Sequence, residues 1–193
     1  MTKTKLIVFC GHAGTGKTTL AKRMLPRLLQ AGIHTCLLDK DTLYGKYSSA
    51  VMGVIRGDPN DRDSPEYLQH LRDPEYQGLL DTARENLRLG VSVIVVGPLS
   101  KEIKAHRLLD PAWACLPEGA QLRPVWVQLQ EEEARRRIEA RGNPLDAYKL
   151  AHWEDYRQRL FRPDPAAYPE LRIFDNTAPA AADEDALFAY LKD

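Results

Sequence analysis

Residues Gly11-His12-Ala13-Gly14-Thr15-Gly16-Lys17-Thr18 satisfy G-x-x-x-x-G-K-[ST] in full. The continuous apolar run Leu6–Cys10 stands directly before them, and a run with helical spacing opens at Lys17 or Thr18. Few arrangements accommodate a buried strand, a glycine-rich turn and a helix in that order. Glycine reaches backbone angles barred to other residues, so successive N–H groups can converge on anionic oxygens. The helix start adds its positive dipole end. The motif therefore implies a cradle for nucleotide phosphates, built from Gly11, His12, Ala13, Gly14, Thr15, Gly16, Lys17, Thr18 and Thr19. Lys17 would reach the β- and γ-phosphates, and the Thr18 hydroxyl would ligate Mg²⁺. ATP and Mg²⁺ are the implied cofactors.

Four further apolar runs follow, at Thr35–Leu38, Val91–Val96, Val125–Leu129 and Leu171–Phe174. They are mostly continuous rather than alternating, as expected of strands buried on both faces of a parallel sheet. Helical patterns lie between them, at Thr18–Leu29, Pro65–Leu89, Glu131–Arg141 and near Asp183–Lys192. The segment Gly53–Glu66, with Gly, Pro, Asn and several aspartates, predicts a loop between two helices. Strand and helix alternating along 193 residues predict one α/β domain over residues 1–193 with an open doubly wound sheet.

Composition narrows the partners. Lysine plus arginine equals aspartate plus glutamate, 27 each, which argues against a dedicated nucleic-acid binder. No run approaches the roughly 20 apolar residues that span a bilayer, and Leu6–Cys10 is too short for a signal sequence core. Cys10, Cys36 and Cys115 have no metal-ligand spacing and suggest free thiols in a reducing cytoplasm. The five histidines are scattered, so no zinc site is expected. The expectations are a cytoplasmic monomer or homodimer acting on a small molecule, without nucleic acid or membrane.

The order of elements and the Gly11–Thr18 motif resemble the P-loop small-molecule kinases, a group of gluconate kinase-like, adenylylsulfate kinase-like and zeta-toxin-like proteins. The resemblance spans nearly the whole chain, although only Gly11–Thr18 is highly specific. It implies a three-layer P-loop NTPase fold, a five-stranded parallel sheet in order 2-3-1-4-5, and a helical lid at approximately 135–152. Leu37-Leu38-Asp39-Lys40-Asp41 is similar to the Asp-x-Asp element of gluconate kinase-like and adenylylsulfate kinase-like sequences. That match implies Asp41 as the base or hydroxyl-orienting residue and Asp39 as support for Mg²⁺ or substrate. Asp41 would equally make a good N-cap for the next helix. Related sequences carry an arginine where this chain has Tyr44, so the acceptor is open.

Strand three ends Val95-Val96-Gly97-Pro98, without the Mg²⁺-directing acid of many P-loop proteins. Metal work then shifts to Thr18 with Asp39 and Asp41. Arg107 is a candidate contact for a substrate anion, or part of a solvated helix face. In Glu131–Arg141, Glu131/Arg135, Glu132/Arg136 and Glu133/Arg137 form i,i+4 pairs in the favoured orientation. Arg141 falls beside Arg137, a like charge, and the pair invites an anion. The resemblance assigns Arg137 and Arg141 to the ATP phosphates or adenine, with Gly142-Asn143-Pro144 as the lid hinge. It sets the loop holding Asn176 beside the adenine.

The function expected is transfer of the γ-phosphoryl group of ATP to a hydroxyl of a small molecule, whether metabolite, sugar or antibiotic. A nucleoside or nucleotide kinase and a nucleotide-sugar kinase of zeta-toxin type are alternatives, as is a nucleotide-dependent switch without an acceptor. The strings by which a GTPase reads guanine and γ-phosphate, Asn-Lys-x-Asp and Asp-x-x-Gly, do not occur.

Overall fold

The computed structural model describes residues 3–110 and 112–193. Five parallel strands form one sheet: β1 Lys5–Cys10, β2 Thr35–Asp39, β3 Ser92–Val96, β4 Gln121–Gln128 and β5 Arg172–Asp175. Their order is β2-β3-β1-β4-β5, the order that the resemblance implied. The described helices are α1 Lys17–Gln30, α2 Lys40–Arg56, α3 Pro65–His70, α4 Arg72–Arg88, α5 Ser100–Lys104, α6 Glu131–Arg141, α7 Ala147–Ala151, α8 Trp153–Gln158 and α9 Ala181–Lys192. Among the described residues, no helix is long and apolar enough to cross a membrane.

The sheet is buried on both faces, which explains why its strands read as continuous apolar runs. Along β1, Leu6, Val8 and Cys10 enter one core with Tyr76, Leu79 and Ala83 of α4. Ile7 and Phe9 enter the other with Leu20, Met24 and Leu28 of α1 and Leu187 and Leu191 of α9. Each large aliphatic or aromatic side chain so removed from water contributes roughly 1.5–3 kcal/mol.

Two expected boundaries move. Gly53–Arg56, read as loop, belong to α2, which ends only at Gly57 in the left-handed region (φ 72°), whose N–H bonds back to the Gly53 carbonyl. The long pattern Pro65–Leu89 is two helices, broken at Leu71. Pro74 has no N–H to give the His70 carbonyl, so the helix restarts rather than continues. Ser64 caps α3, its hydroxyl accepting the Tyr67 N–H at 3.3 Å, with Pro65 at the first helical position.

The carboxyl ends of the strands meet at one edge. Cys10 pairs with Trp126, Phe9 with Val96, and Val96 with Asp39. The loops leaving these ends build the site.

Candidate active site

The turn from β1 to α1 depends on its glycines. Gly11 sits at φ 134° and Gly14 at φ 78°, where L side chains are strained. A Cβ on Gly11 would collide with the Val127 carbonyl oxygen. On Gly14 it would lie 2.5 Å from the Ala134 carbonyl oxygen, so α6 rests directly on the loop. Gly14→Ala is therefore expected to destabilise the protein by about 1–3 kcal/mol, read from denaturant unfolding.

Neighbouring side chains hold the loop open. Thr15 Oγ1 donates to the His12 carbonyl at 2.9 Å, and Asn176 Nδ2 donates to the Thr15 carbonyl at 2.8 Å. The Tyr156 hydroxyl accepts the Ala13 N–H at 3.0 Å. His12 contributes its backbone only. Its ring packs edge-on against Trp126 at 5.2 Å, and Nε2 accepts the Phe161 N–H at 2.8 Å. Burial pushes the imidazole down to about 4, so it stays neutral at physiological pH.

Lys17 Nζ lies across the loop and donates to the His12 carbonyl at 2.5 Å. Burial pushes its ammonium down to about 8, against the opposing pull of Asp41. A bound triphosphate would raise that value again, so below pH 8 the lysine is already charged and above it binding must take up a proton. ATP affinity is therefore expected to fall as pH rises past about 8, by up to about tenfold per unit. Titrations in buffers of different ionisation enthalpy would show the proton uptake.

Asp39 joins the loop to the start of α2. Its Oδ2 accepts the Thr18 hydroxyl at 2.9 Å, while Oδ1 accepts the N–H groups of Asp41 and Thr42 at 2.9 and 3.1 Å. Asp39 is thus the N-cap, a role that the sequence left open for Asp41. A hydroxyl and a carboxylate oxygen side by side are hard donors suited to Mg²⁺, an ion that takes few protein ligands and keeps waters and phosphate oxygens. Among the described residues there is no group of three or more His, Cys, Asp or Glu that could hold a metal ion. At the Walker B position, a Cβ on Gly97 would meet the Tyr76 ring at 2.9 Å, leaving no room for an acid.

Asp41 pairs with Lys40 at 3.0 Å. Burial works to raise its carboxyl, but Lys40, then Lys17 and Lys149, overcome this and hold it below the usual carboxylate range. Such a group stays ionised and orients a hydroxyl better than it removes a proton. Lys40 is anchored in turn by buried Glu75 at 2.8 Å and the Tyr67 hydroxyl at 3.0 Å. Ser48 completes the partners of Glu75.

The arginines divide. Arg137 Nε bonds Glu133 at 2.8 Å, and its NH2 reaches the Asn176 carbonyl at 3.4 Å beside Gly16. Arg141 makes two parallel bonds to buried Asp146, at 2.7 and 2.8 Å. Of the three expected i,i+4 pairs only Glu133–Arg137 forms; Arg136 turns to Glu133, Arg135 to Glu139, and Glu131 pairs with Arg157. α6 ends at Gly142 (φ 56°), where the hinge was expected.

Two cavities meet at Gly14 and Gly16. The larger opening toward Arg137, Asn176, Thr19 and Thr177 has a volume of about 460 Å³, and Arg141 lines it as well. The other, about 330 Å³, gathers Lys17, Thr18, Asp39, Asp41 and Arg141. Arg107 lines neither cavity; it is exposed in the 3₁₀ turn Arg107–Leu109, away from the other candidates. Tyr44 packs on α4 at Gly78 rather than entering the site. Arg62 and Asp63, from a mixed-charge stretch that reads as a solvated loop or a grip for a polar acceptor, line the second cavity together with Tyr67, Arg72, Lys149 and Arg159, which the sequence did not single out. They come from two stretches far apart in the chain, 62–72 and 149–159, so only tertiary packing brings the two together.

A glycine-rich phosphate loop between β1 and α1, a Thr18–Asp39 pair facing it and two arginines on the helix after β4 define a P-loop protein with a kinase-like α/β fold. The AAA domain family matches residues 6–163, and the chain belongs to that family. No curated protein sequence gives a significant match. Among solved structures, the Mycobacterium tuberculosis APS kinase, determined with AMPPNP and APS, is similar at TM-score 0.61 and 18% identity, over 100% of each chain. A Sinorhizobium meliloti gluconokinase is similar at TM-score 0.53 and 18% identity, over 98% of this chain and 91% of that one.

Proposed function

We propose that this protein is an ATP-dependent phosphotransferase whose acceptor is a hydroxyl of a small molecule. The observation that carries the reading is that Lys17, the Thr18–Asp39 pair, Asp41 and Arg141 all face one cavity at the carboxyl edge of the sheet. The two fold relatives named above are kinases, one solved with a nucleotide analogue, which supports the same reading.

ATP lies with its phosphates in the loop and its base toward Asn176 and Arg137. Thr18 and Asp39 would hold Mg²⁺, which when bound would neutralise charge on the phosphates. Lys17 exchanges the His12 carbonyl for the phosphate oxygens, and Arg141, positioned by Asp146, faces the migrating group. Asp41 aligns the acceptor hydroxyl. The acceptor oxygen bonds to the γ-phosphorus as the bond to the β,γ-bridging oxygen breaks. ADP leaves with that electron pair, and the acceptor's hydroxyl proton is lost to solvent once the new P–O bond has formed. Such chemistry rests on positioning and electrostatics more than on covalent help.

Phosphorus NMR of a reaction with Mg·ATP and a metabolite extract tests this. A phosphomonoester signal growing in step with ADP is expected. Inorganic phosphate as the sole product, unaffected by extract, would instead identify a hydrolase or switch.

A further inference from the structure

The two ends of the cavity of about 330 Å³ that gathers Lys17 and Asp41 differ in how their cations are matched. At the phosphate end, Lys17 bonds a backbone carbonyl and makes no ion pair among the described residues. At the far end every lining cation is already occupied. Lys40 holds Asp41 and Glu75 at 3.0 and 2.8 Å. Arg72 grips Glu102 with bonds of 2.9 and 2.8 Å and stacks over Tyr76 at 4.6 Å. Asp63 lies between Lys149 and Arg159, 3.2 Å from each, and Lys149 also meets Asp146 at 3.1 Å. Arg62 has no carboxylate partner, yet its two terminal nitrogens contact the carbonyls of Pro59, Asp61 and Gly45 and the Ser49 hydroxyl, at 2.7 to 3.1 Å.

An anionic acceptor entering here would have to displace carboxylates from Lys40, Arg72 and Lys149, whose side chains are mostly shielded from water, and a carboxylate stripped of its partner in such a place is costly. The acidic oxygens of Asp41 and Asp63 would in addition repel it. What this end offers is acceptor capacity on those two carboxylates and hydroxyl groups on Tyr76 and Ser100. That is a surface for groups that donate hydrogen bonds without bringing negative charge. Tyr76 adds an aromatic wall, and a small polar ligand oriented by few fixed groups is the usual occupant of such a space.

Resting on the phosphotransferase reading, we infer that the acceptor is an uncharged polyhydroxy compound, a polyol or sugar, rather than a phosphorylated, sulfated or carboxylated one. The matched cations serve as a charge filter that admits the triphosphate only at the Lys17 end.

Paired probes test the filter. ADP release is measured with Mg·ATP and glycerol, myo-inositol, ribose or glucose, and in parallel with glycerol 3-phosphate, inositol 1-phosphate, ribose 5-phosphate or gluconate. At least one neutral compound is expected to raise the rate by about tenfold or more over the acceptor-free value, with its charged counterpart giving less than about twofold. Stimulation by a charged member alone, or by no neutral member while Mg·ATP still binds, overturns the inference. Failure of Mg·ATP to bind would sink the underlying kinase reading instead, so the two failures are distinguishable. Asp63→Asn gives a second arm, since it removes the carboxylate partner of Arg159 and one of the two of Lys149. With the phosphate loop filled by saturating Mg·ADP, added sulfate is expected to raise the melting temperature of the variant and not that of the wild type. A rise in the wild-type melting temperature with sulfate under these conditions would refute the charge filter even if the variant does not fold.

Discussion

Lys17→Ala is expected to lower ADP formation by about three powers of ten or more while leaving the fold intact. The magnitude follows from position. Lys17 makes no ion pair among the described residues and is bonded only to the His12 carbonyl. Its charge is therefore uncommitted until phosphate arrives. The same isolation means that little structure is lost with it. Burial already pushes its ammonium down to about 8, so the folded protein disfavours the charged form. The linkage has a definite sign: a lysine lowered in this way makes the wild type gain stability as pH rises from about 8 toward the unfolded value near 10.4. The alanine variant should lack that gain. Turnover and melting temperature measured together across pH 7–10 decide the matter. A variant retaining activity within about tenfold of wild type would place the phosphates elsewhere.

The second large effect concerns Asp39, where two substitutions separate two roles. Asp39→Asn keeps an oxygen to cap α2, since asparagine caps a helix as well as aspartate does. It removes the charge beside Thr18. Turnover is expected to fall by about two to three powers of ten, with the Mg²⁺ requirement moved to higher concentration and the melting temperature nearly unchanged. Asp39→Ala loses the bonds to the Asp41 and Thr42 N–H groups as well. That removes about 1 kcal/mol of cap and lowers the melting temperature by about 2–4 °C. If asparagine destabilised as much as alanine, or if neither altered the Mg²⁺ dependence, Asp39 would be a cap and nothing more.

Much of this site could be read from the chain because its chemistry is local. The phosphate loop needs its glycines at fixed offsets, and a buried parallel strand leaves an unbroken apolar run, so Leu6–Thr18 states both fold and cradle. The pairing of Thr18 with Asp39 is non-local, yet legible, because the ends of β1 and β2 lie at the same edge of the sheet. Other features depend on packing that carries no periodic signal. Arg141 was expected to share an anion with Arg137, but the chain reverses at Gly142 and delivers Asp146 to it. Arg107 followed a promising basic stretch, yet the short 3₁₀ turn that carries it faces solvent. Asp63 lies in a polar loop that reads as solvated, and becomes 12% exposed only because Lys149 and Arg159, far along the chain, close over it. The helix break at Leu71 had a visible cause in Pro74, which the strong apolar spacing on either side obscured.

Titration calorimetry of the purified protein with Mg·ATP, run beside Lys17→Ala, tests the central claim most directly. One site per chain with clear heat is predicted for the wild type, weakened by removal of Mg²⁺ and by the substitution. Absence of heat with wild type, or identical binding by the alanine variant, would contradict the assignment of the Gly11–Thr18 loop as the triphosphate site.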